Sequence, residues 1–476
     1  MAFESNIYSG VCKYREIEFT FVFDSDELRL IPPADKREAI RMDWLMTPLA
    51  KGVYTMGDPL TMDEPYLTGH CNETGTDFIF ITKQGGHISS QNSVLFVPIV
   101  AYIRCRFKRD GIARMSFTSP VINCIHPVTQ GVGYSFDMES FNTTGVFTVT
   151  TQSFDETTTT PQIFTVDDTQ VSVEFSISRK LSTKLNEPPI TLSSAMLFEF
   201  EPTADYRFIY RLWHTAKQFL QYLCYRKNIF LPEVALLALT EDGKYEEFAT
   251  LYVINETGDD ETHILKSGRY IKQLNLAGAE GKILTDIANG KLYLRHLPQS
   301  YRSGRSIDAS RFVMITAAFE WEFQRCFPDG ITKSEATLKA EDVVSEEIQK
   351  LLDNANGKKQ RKIYQFLKRL VRSDSLESEI IHTGKAIDDI IGVFGKHLYH
   401  MNNQELKYSE MGQRLSSQRN NYAHGNLDKE FIGLSLLDLM YMEYVLYAMQ
   451  LHYYGIDTTN IRHAINDLFH LNYAIK

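Results

Sequence analysis

Apolar and polar residues alternate along much of the first two hundred positions. In "EIEFTFVF" Ile17, Phe19, Phe21 and Phe23 recur at every second residue, and in "VSVEFSI" Val171, Val173, Phe175 and Ile177 do the same. Successive side chains of a strand point to opposite faces, so period two predicts strands with one buried face. "DFIFIT", "VLFVPIVAYIRCRF", "GVFTVT" and "AMLFEFE" predict further strands, punctuated by Gly, Asn, Asp and Pro. The threonine run 157–160 before Pro161 predicts a loop. A β-sandwich or a curved sheet is the expected architecture.

The period changes at Asp205. "DYRFIYRLWHTAKQFLQYLCYRKN" carries Phe208, Leu212, Phe219 and Leu223 at helical spacing, with basic residues near its end, which predicts a helix near 205–227. "IFLPEVALLALT" and "YEEFATLYVIN" return to strand character as far as about residue 255. Residues 1–300 are therefore expected to form one β-rich unit, to which the family resemblance given below would assign a sensing or regulatory role. The polar stretch "LPQSYRSGRSIDAS" at 297–310 predicts the boundary. Helical periods follow at 310–327, 338–356, 358–371, 384–401, 404–423 and 428–454, with a shorter segment at the end. Strands first and helices afterwards predict an α+β chain of two domains in series. The second, 305–476, is expected to be an all-α bundle with short connections.

Composition narrows the function classes. The 476 residues are 43% hydrophobic and 23% charged, as in an ordinary soluble globular protein, and suffice for two or three domains. The net charge of −10 excludes nucleic-acid binding by bulk electrostatics, so an RNA contact would need a local basic patch. Cys12, Cys71, Cys105, Cys124, Cys224 and Cys326 are scattered with no C-x-x-C pair, which points away from a disulfide scaffold or metal ribbon. "MAFESNIYSG" lacks a signal pattern, and the most apolar run, "LSLLDLMYMEYVLYAMQLHYYG", is interrupted by Asp438 and Glu443. A buried core helix and a cytoplasmic protein with no membrane partner are expected. His397 and His400 stand at i, i+3 without a cysteine or carboxylate at ligand spacing, so no metal is expected. No phosphate-binding loop or nucleophile elbow occurs, Gly131 and Gly133 read as a turn, and no cofactor is expected.

The candidate chemistry lies in "SSQRNNYAHGN", 416–426. Met411, Leu415 and Tyr422, with Leu406, give the preceding segment an inner face. Gly425 stands where a left-handed C-cap belongs, and Asp428 where the next helix would be N-capped. Arg419 and His424 lie about 140° apart on a helix, so they do not stack along one face. At a helix end the last turn can relax, and a long arginine can reach round to the imidazole. Residue by residue, a capped helix end explains the segment equally well. In "KKQRKIYQFLKRLVR" Arg361, Lys368 and Arg372 share one face, with Ile363, Phe366, Leu367 and Leu370 on the other. This is a solvated helix face or a grip for an RNA backbone.

"RNNYAHGN" resembles the R-x4-6-H motif of the HEPN superfamily, including the polar Asn420 directly after the arginine. "SRFVMITAAFEWEFQRCF", with Glu320 at its centre, resembles the opening HEPN helix of the ApeA-type antiphage defence proteins. "AKQFLQYLCYRKNIFLPEVAL" resembles the segment that closes their β-rich domain. The resemblance implies a metal-independent RNA endonuclease that acts as a homodimer or higher homo-oligomer with a composite site. It implies cleavage of transfer or messenger RNA, translational arrest and release by a phage-derived trigger. His424 would be the general acid or base and Arg419 the phosphate clamp; Asn420 would orient the site or contact the phosphate. Asn421 and Tyr422 would touch a flanking nucleotide, with Arg361, Lys368 and Arg372 on the RNA backbone. Glu320 is either a partner for the arginine or an interior polar residue. The alternative function is a non-catalytic HEPN-like dimerisation or interaction module.

Overall fold

The computed structural model describes residues 7–24, 26–56, 60–109, 111–135, 137–259, 268–426 and 431–475. The chain divides into two compact units, one of residues 1–267, 272–274 and 280–291, the other of residues 268–271, 275–279 and 292–476. The first is built on a large antiparallel sheet and the second is helical.

Fourteen strands of the first unit form one continuous sheet. In spatial order they are Gln162–Val166, Thr169–Leu181, Ile190–Thr203, Ile112–Thr118, Glu233–Leu239, Tyr245–Val253 and Ile99–Cys105, followed by Asp77–Thr82, Tyr66–Cys71, Tyr8–Tyr14, Ile17–Phe23, Leu28–Ile31, Val94–Val97 and Ser89–Gln91. The alternation read from sequence decides which face is covered: Phe19, Phe21 and Phe23 are buried with Phe78 and Phe80 in one core. The Phe21 and Phe80 rings meet edge to face at 5.4 Å between centroids, a favoured aromatic geometry. Pro98 lacks an N–H, and it separates Val94–Val97 from Ile99–Cys105 within what reads as one apolar run. "GVFTVT" does supply a strand, Thr148–Thr151, but it pairs with Val132–Ser135 in a separate exposed ribbon.

Helix α1, Tyr206–Cys224, starts where Asp205 accepts a bond from the Phe208 N–H at 3.0 Å. Its Phe208, Leu212, Phe219 and Leu223 are buried, as their spacing predicts. It packs against α2, Glu280–Ala288, an element the periodicity did not reveal.

The helical unit contains α3 (Ala309–Cys326), α4 (Glu335–Asp353), α5 (Lys358–Arg372), α6 (Leu376–Ala386), α7 (Asp388–Met401), α8 (Tyr408–Ala423), α9 (Ser435–Tyr453) and α10 (Thr458–Leu468). The helix expected over 384–401 is present from Asp388 to Met401, and its first three residues belong to a separate helix, α6. Ile387 leaves helical geometry at φ −124°, and α6 opens at Leu376 with a Ser375–Ser378 capping box. Helix α9 is buried nearly all round. Its two acids are both paired: Asp438 takes the Arg414 Nε at 2.7 Å and Nη2 at 2.8 Å, and Glu443 takes the Arg311 guanidinium at 2.8 Å. These pairs tie α9 to α8 and α3 and offset the desolvation of the carboxylates. Among the described residues no helix is long and apolar enough to cross a membrane.

Candidate functional site

The motif occupies the C-terminal end of α8, and the end is a complete Schellman motif. His424 is the C-cap and Gly425 follows at φ +76°. The Gly425 N–H donates to the Tyr422 carbonyl at 3.1 Å and the Asn426 N–H to the Asn421 carbonyl at 2.9 Å. The left-handed glycine expected from sequence is therefore present. Asp428, expected as the next N-cap, lies outside the described residues, and α9 opens at Ser435.

Three helices meet behind this end. Arg419 of α8 reaches Glu320 of α3, with Nη2 2.9 Å from Oε2 and 3.3 Å from Oε1. Both side chains keep solvent contact, at 37% and 26% exposure, so the pair is worth about 1 kcal/mol or less to stability. Glu379 of α6 is the third member. It is only 6% exposed, and its Oε2 has no hydrogen-bond partner among the described residues. Burial, then the negative charges of Glu320 and Asp374, push its carboxyl up to about 8 against the pull of Arg419. Glu379 is thus protonated at neutral pH. Sequence reading missed it because it sits on the helix that periodicity did not reveal.

The remaining motif residues divide by exposure. Asn420 and His424 are exposed and stand at i, i+4, one above the other; the His424 N–H donates to the Asn420 carbonyl at 3.0 Å. Asn421 is half-buried. Tyr422, expected at a nucleotide, is instead a core residue. Its ring packs edge-on against Phe312 at 5.4 Å and against Phe431, and its hydroxyl accepts the Phe431 N–H at 3.3 Å. Buried Gln418 accepts the Ile432 N–H at 3.0 Å, which fixes the chain on the far side of the motif. Just beyond, Ile432, Leu436 and Met440 form an exposed apolar stripe.

The basic helix is α5, and of its three named residues Lys368 meets α4 and Arg361 the connection that precedes α5. Lys368 Nζ donates to Gln349 Oε1 at 2.6 Å, and Arg361 Nε to the Ala355 carbonyl at 3.2 Å. Arg372 is the last residue of the helix. The apolar face of α5 is exposed.

The sheet unit has a concave feature of its own, a cavity of about 530 Å³. Strand register sets Val11, His70, Asp77 and Cys105 side by side along one wall. His70 Nδ1 lies 2.6 Å from Asp77 Oδ1, and burial followed by the Asp77 charge pushes the Cys105 thiol up to about 11, away from nucleophilic use.

No family model matches the chain, and neither does any curated protein or solved structure.

Proposed function

We propose that the protein is a HEPN-type, metal-independent RNA endonuclease, active as a homodimer and serving antiphage defence by arresting translation. The observation that carries this reading is the end of α8: an exposed imidazole at a fixed C-cap, one turn beyond exposed Asn420 and five residues after an arginine held by Glu320 of α3.

The chemistry needs few groups. The ribose 2′-OH attacks the adjacent phosphorus, the P–O5′ bond breaks, and the products are a 2′,3′-cyclic phosphate and a 5′-OH. One proton leaves the 2′-oxygen and one arrives at the 5′-oxygen. His424 serves one of these transfers, since imidazole titrates near neutrality. Arg419 offers a fork-shaped, permanently charged donor to the phosphate oxygens. Asn420 orients the phosphate and Asn421 contacts a flanking nucleotide. One His and one Arg equip half a site, and a two-fold axis supplies the other half. The exposed stripe of Ile432, Leu436 and Met440 beside the motif is the surface we assign to that axis.

A second reading has its own support. Arg419 already has a carboxylate partner in Glu320, which is what a capped helix end in a non-catalytic interaction module requires. One experiment separates the two: incubation of total RNA and transfer RNA with wild type and His424→Ala in EDTA, with the product ends mapped. Cuts with 2′,3′-cyclic ends made by the wild type alone, with both proteins melting together, are expected. Cleavage that survives His424→Ala, or no cleavage by wild type in uninfected and phage-infected extract, sinks the nuclease reading.

A further inference from the structure

Helices α4 and α5 form a hairpin joined by residues 354–357. A hairpin of two amphipathic helices is half of a layered structure, because each helix has one stripe to cover and only the other helix to cover it. Here the covering is incomplete. Val344 and Leu351 of α4 and Ile363, Phe366, Leu367 and Leu370 of α5 remain 39–58% exposed. The four α5 residues span an arc of roughly 100°. On each helix the exposed arc lies about a quarter-turn from the line of contact, where Ser345 and Leu352 of α4 and Tyr364 and Val371 of α5 are buried or half-buried. The helices run antiparallel, so the two arcs open on the same side. Monomeric proteins rarely leave a contiguous apolar surface of this kind.

Charge identifies the occupant. Helix α4 has six acidic residues against two lysines, whereas α5 has seven basic residues and no acid. One hairpin therefore presents both a surface and its electrostatic complement, which a second copy matches by symmetry. Two arrangements bring the faces together. A two-fold axis across the helices sets α4 over the other copy's α4, acid on acid. An axis along the helices sets α4 over the other copy's α5, acid on base; every neighbouring pair is antiparallel in both arrangements, so charge decides between them. We propose that the α4–α5 face binds the same face of a second copy of this chain, with the axis running along the hairpin. The inference is independent of the RNA reading: the motif residues lie on α8 and the stripe assigned to the catalytic axis on and before α9.

The test is sedimentation velocity of the full chain over a concentration series, comparing wild type with Phe366→Glu/Leu370→Glu. Both side chains are exposed in the single chain, so unchanged circular dichroism is expected. The doubly substituted chain should sediment as a smaller species than wild type at equal concentration: the monomer where this face is the sole interface, a dimer where a second one persists. A second arm fixes the axis. Lys368 meets Gln349 within the hairpin, so Leu351 and Phe366 lie at the same level. Oxidising a mixture of Leu351→Cys and Phe366→Cys chains should give a disulfide-linked dimer that neither gives alone. A monomeric wild type, an equal mass for the doubly substituted chain, or links in Leu351→Cys alone would overturn the proposal.

Discussion

A buried carboxyl that faces two carboxylates keeps its proton into the neutral range, and Glu379 does so beside Glu320 and Asp374. The consequence for stability has a definite sign. Below pH 4.5, its ordinary value, folded and unfolded chains both hold the proton. Between 4.5 and about 8 the unfolded chain releases it and the folded chain does not, so stability falls as pH rises through that window and levels off above it. Each pH unit of the window removes about 1.4 kcal/mol, which amounts to roughly 4–5 kcal/mol across it. Glutamine has the shape of the protonated acid and no proton to lose. Glu379→Gln should therefore match wild type near pH 4.5 and exceed it increasingly up to pH 8, read from denaturant midpoints at several pH values. Parallel curves for the two proteins would mean that Glu379 is ionised in the fold. The same residue marks what sequence reading could reach at the site. Arg419, Asn420, His424 and Gly425 lie within seven positions of one another and were legible, and Glu320 was legible as one of two alternatives. Glu379 was not, since its burial and its charged neighbours arise only when α3, α6 and α8 pack.

At the scale of elements, the α8 terminus shows how far local chemistry determines geometry. A Cβ added at Gly425 would meet nothing within 4 Å among the described residues, so an alanine there has no steric conflict with them. Its cost is confined to the backbone at φ +76°, about 1 kcal/mol. Gly425→Ala should lower stability by that amount in chemical denaturation. A cost of several kcal/mol would show that the segment after the motif is packed more tightly than this. Long periodic elements such as α1, α5 and the strand Thr169–Leu181 were legible because their faces repeat several times. The junction at Ile387 was not. The acidic pair Asp388–Asp389 that opens α7 reads equally well as the polar face of a single longer helix. The capping box of α6 uses Ser378 where glutamate or glutamine is the usual signal. Periodicity also identified the apolar face of α5 without saying whether anything covers it. Amphipathicity records which side avoids water, and the partner can belong to another chain.

For the whole molecule, the acidic balance and the single His–Arg pair lead to the same requirement. A net charge of −10 gives RNA no general attraction, so affinity must come from a few groups converging on one phosphate. One copy of α8 offers a single imidazole and a guanidinium shared with Glu320. On the proposed reading, a second copy across a two-fold axis would double both within one cleft, and activity would then depend on how chains are mixed. Wild type and His424→Ala, combined in equal amounts and left to exchange subunits at constant total concentration, would then form the two parent dimers and the mixed dimer in a 1:2:1 ratio. If both imidazoles are needed, one as base and one as acid, only the wild-type dimers cut and activity falls to roughly one quarter. If either imidazole serves alone, roughly three quarters remains. If each chain works without the other, activity is proportional to wild-type protein and roughly one half remains. We expect one quarter, measured as initial cleavage rate after exchange. A value of one half would remove the composite site while leaving His424 in the chemistry.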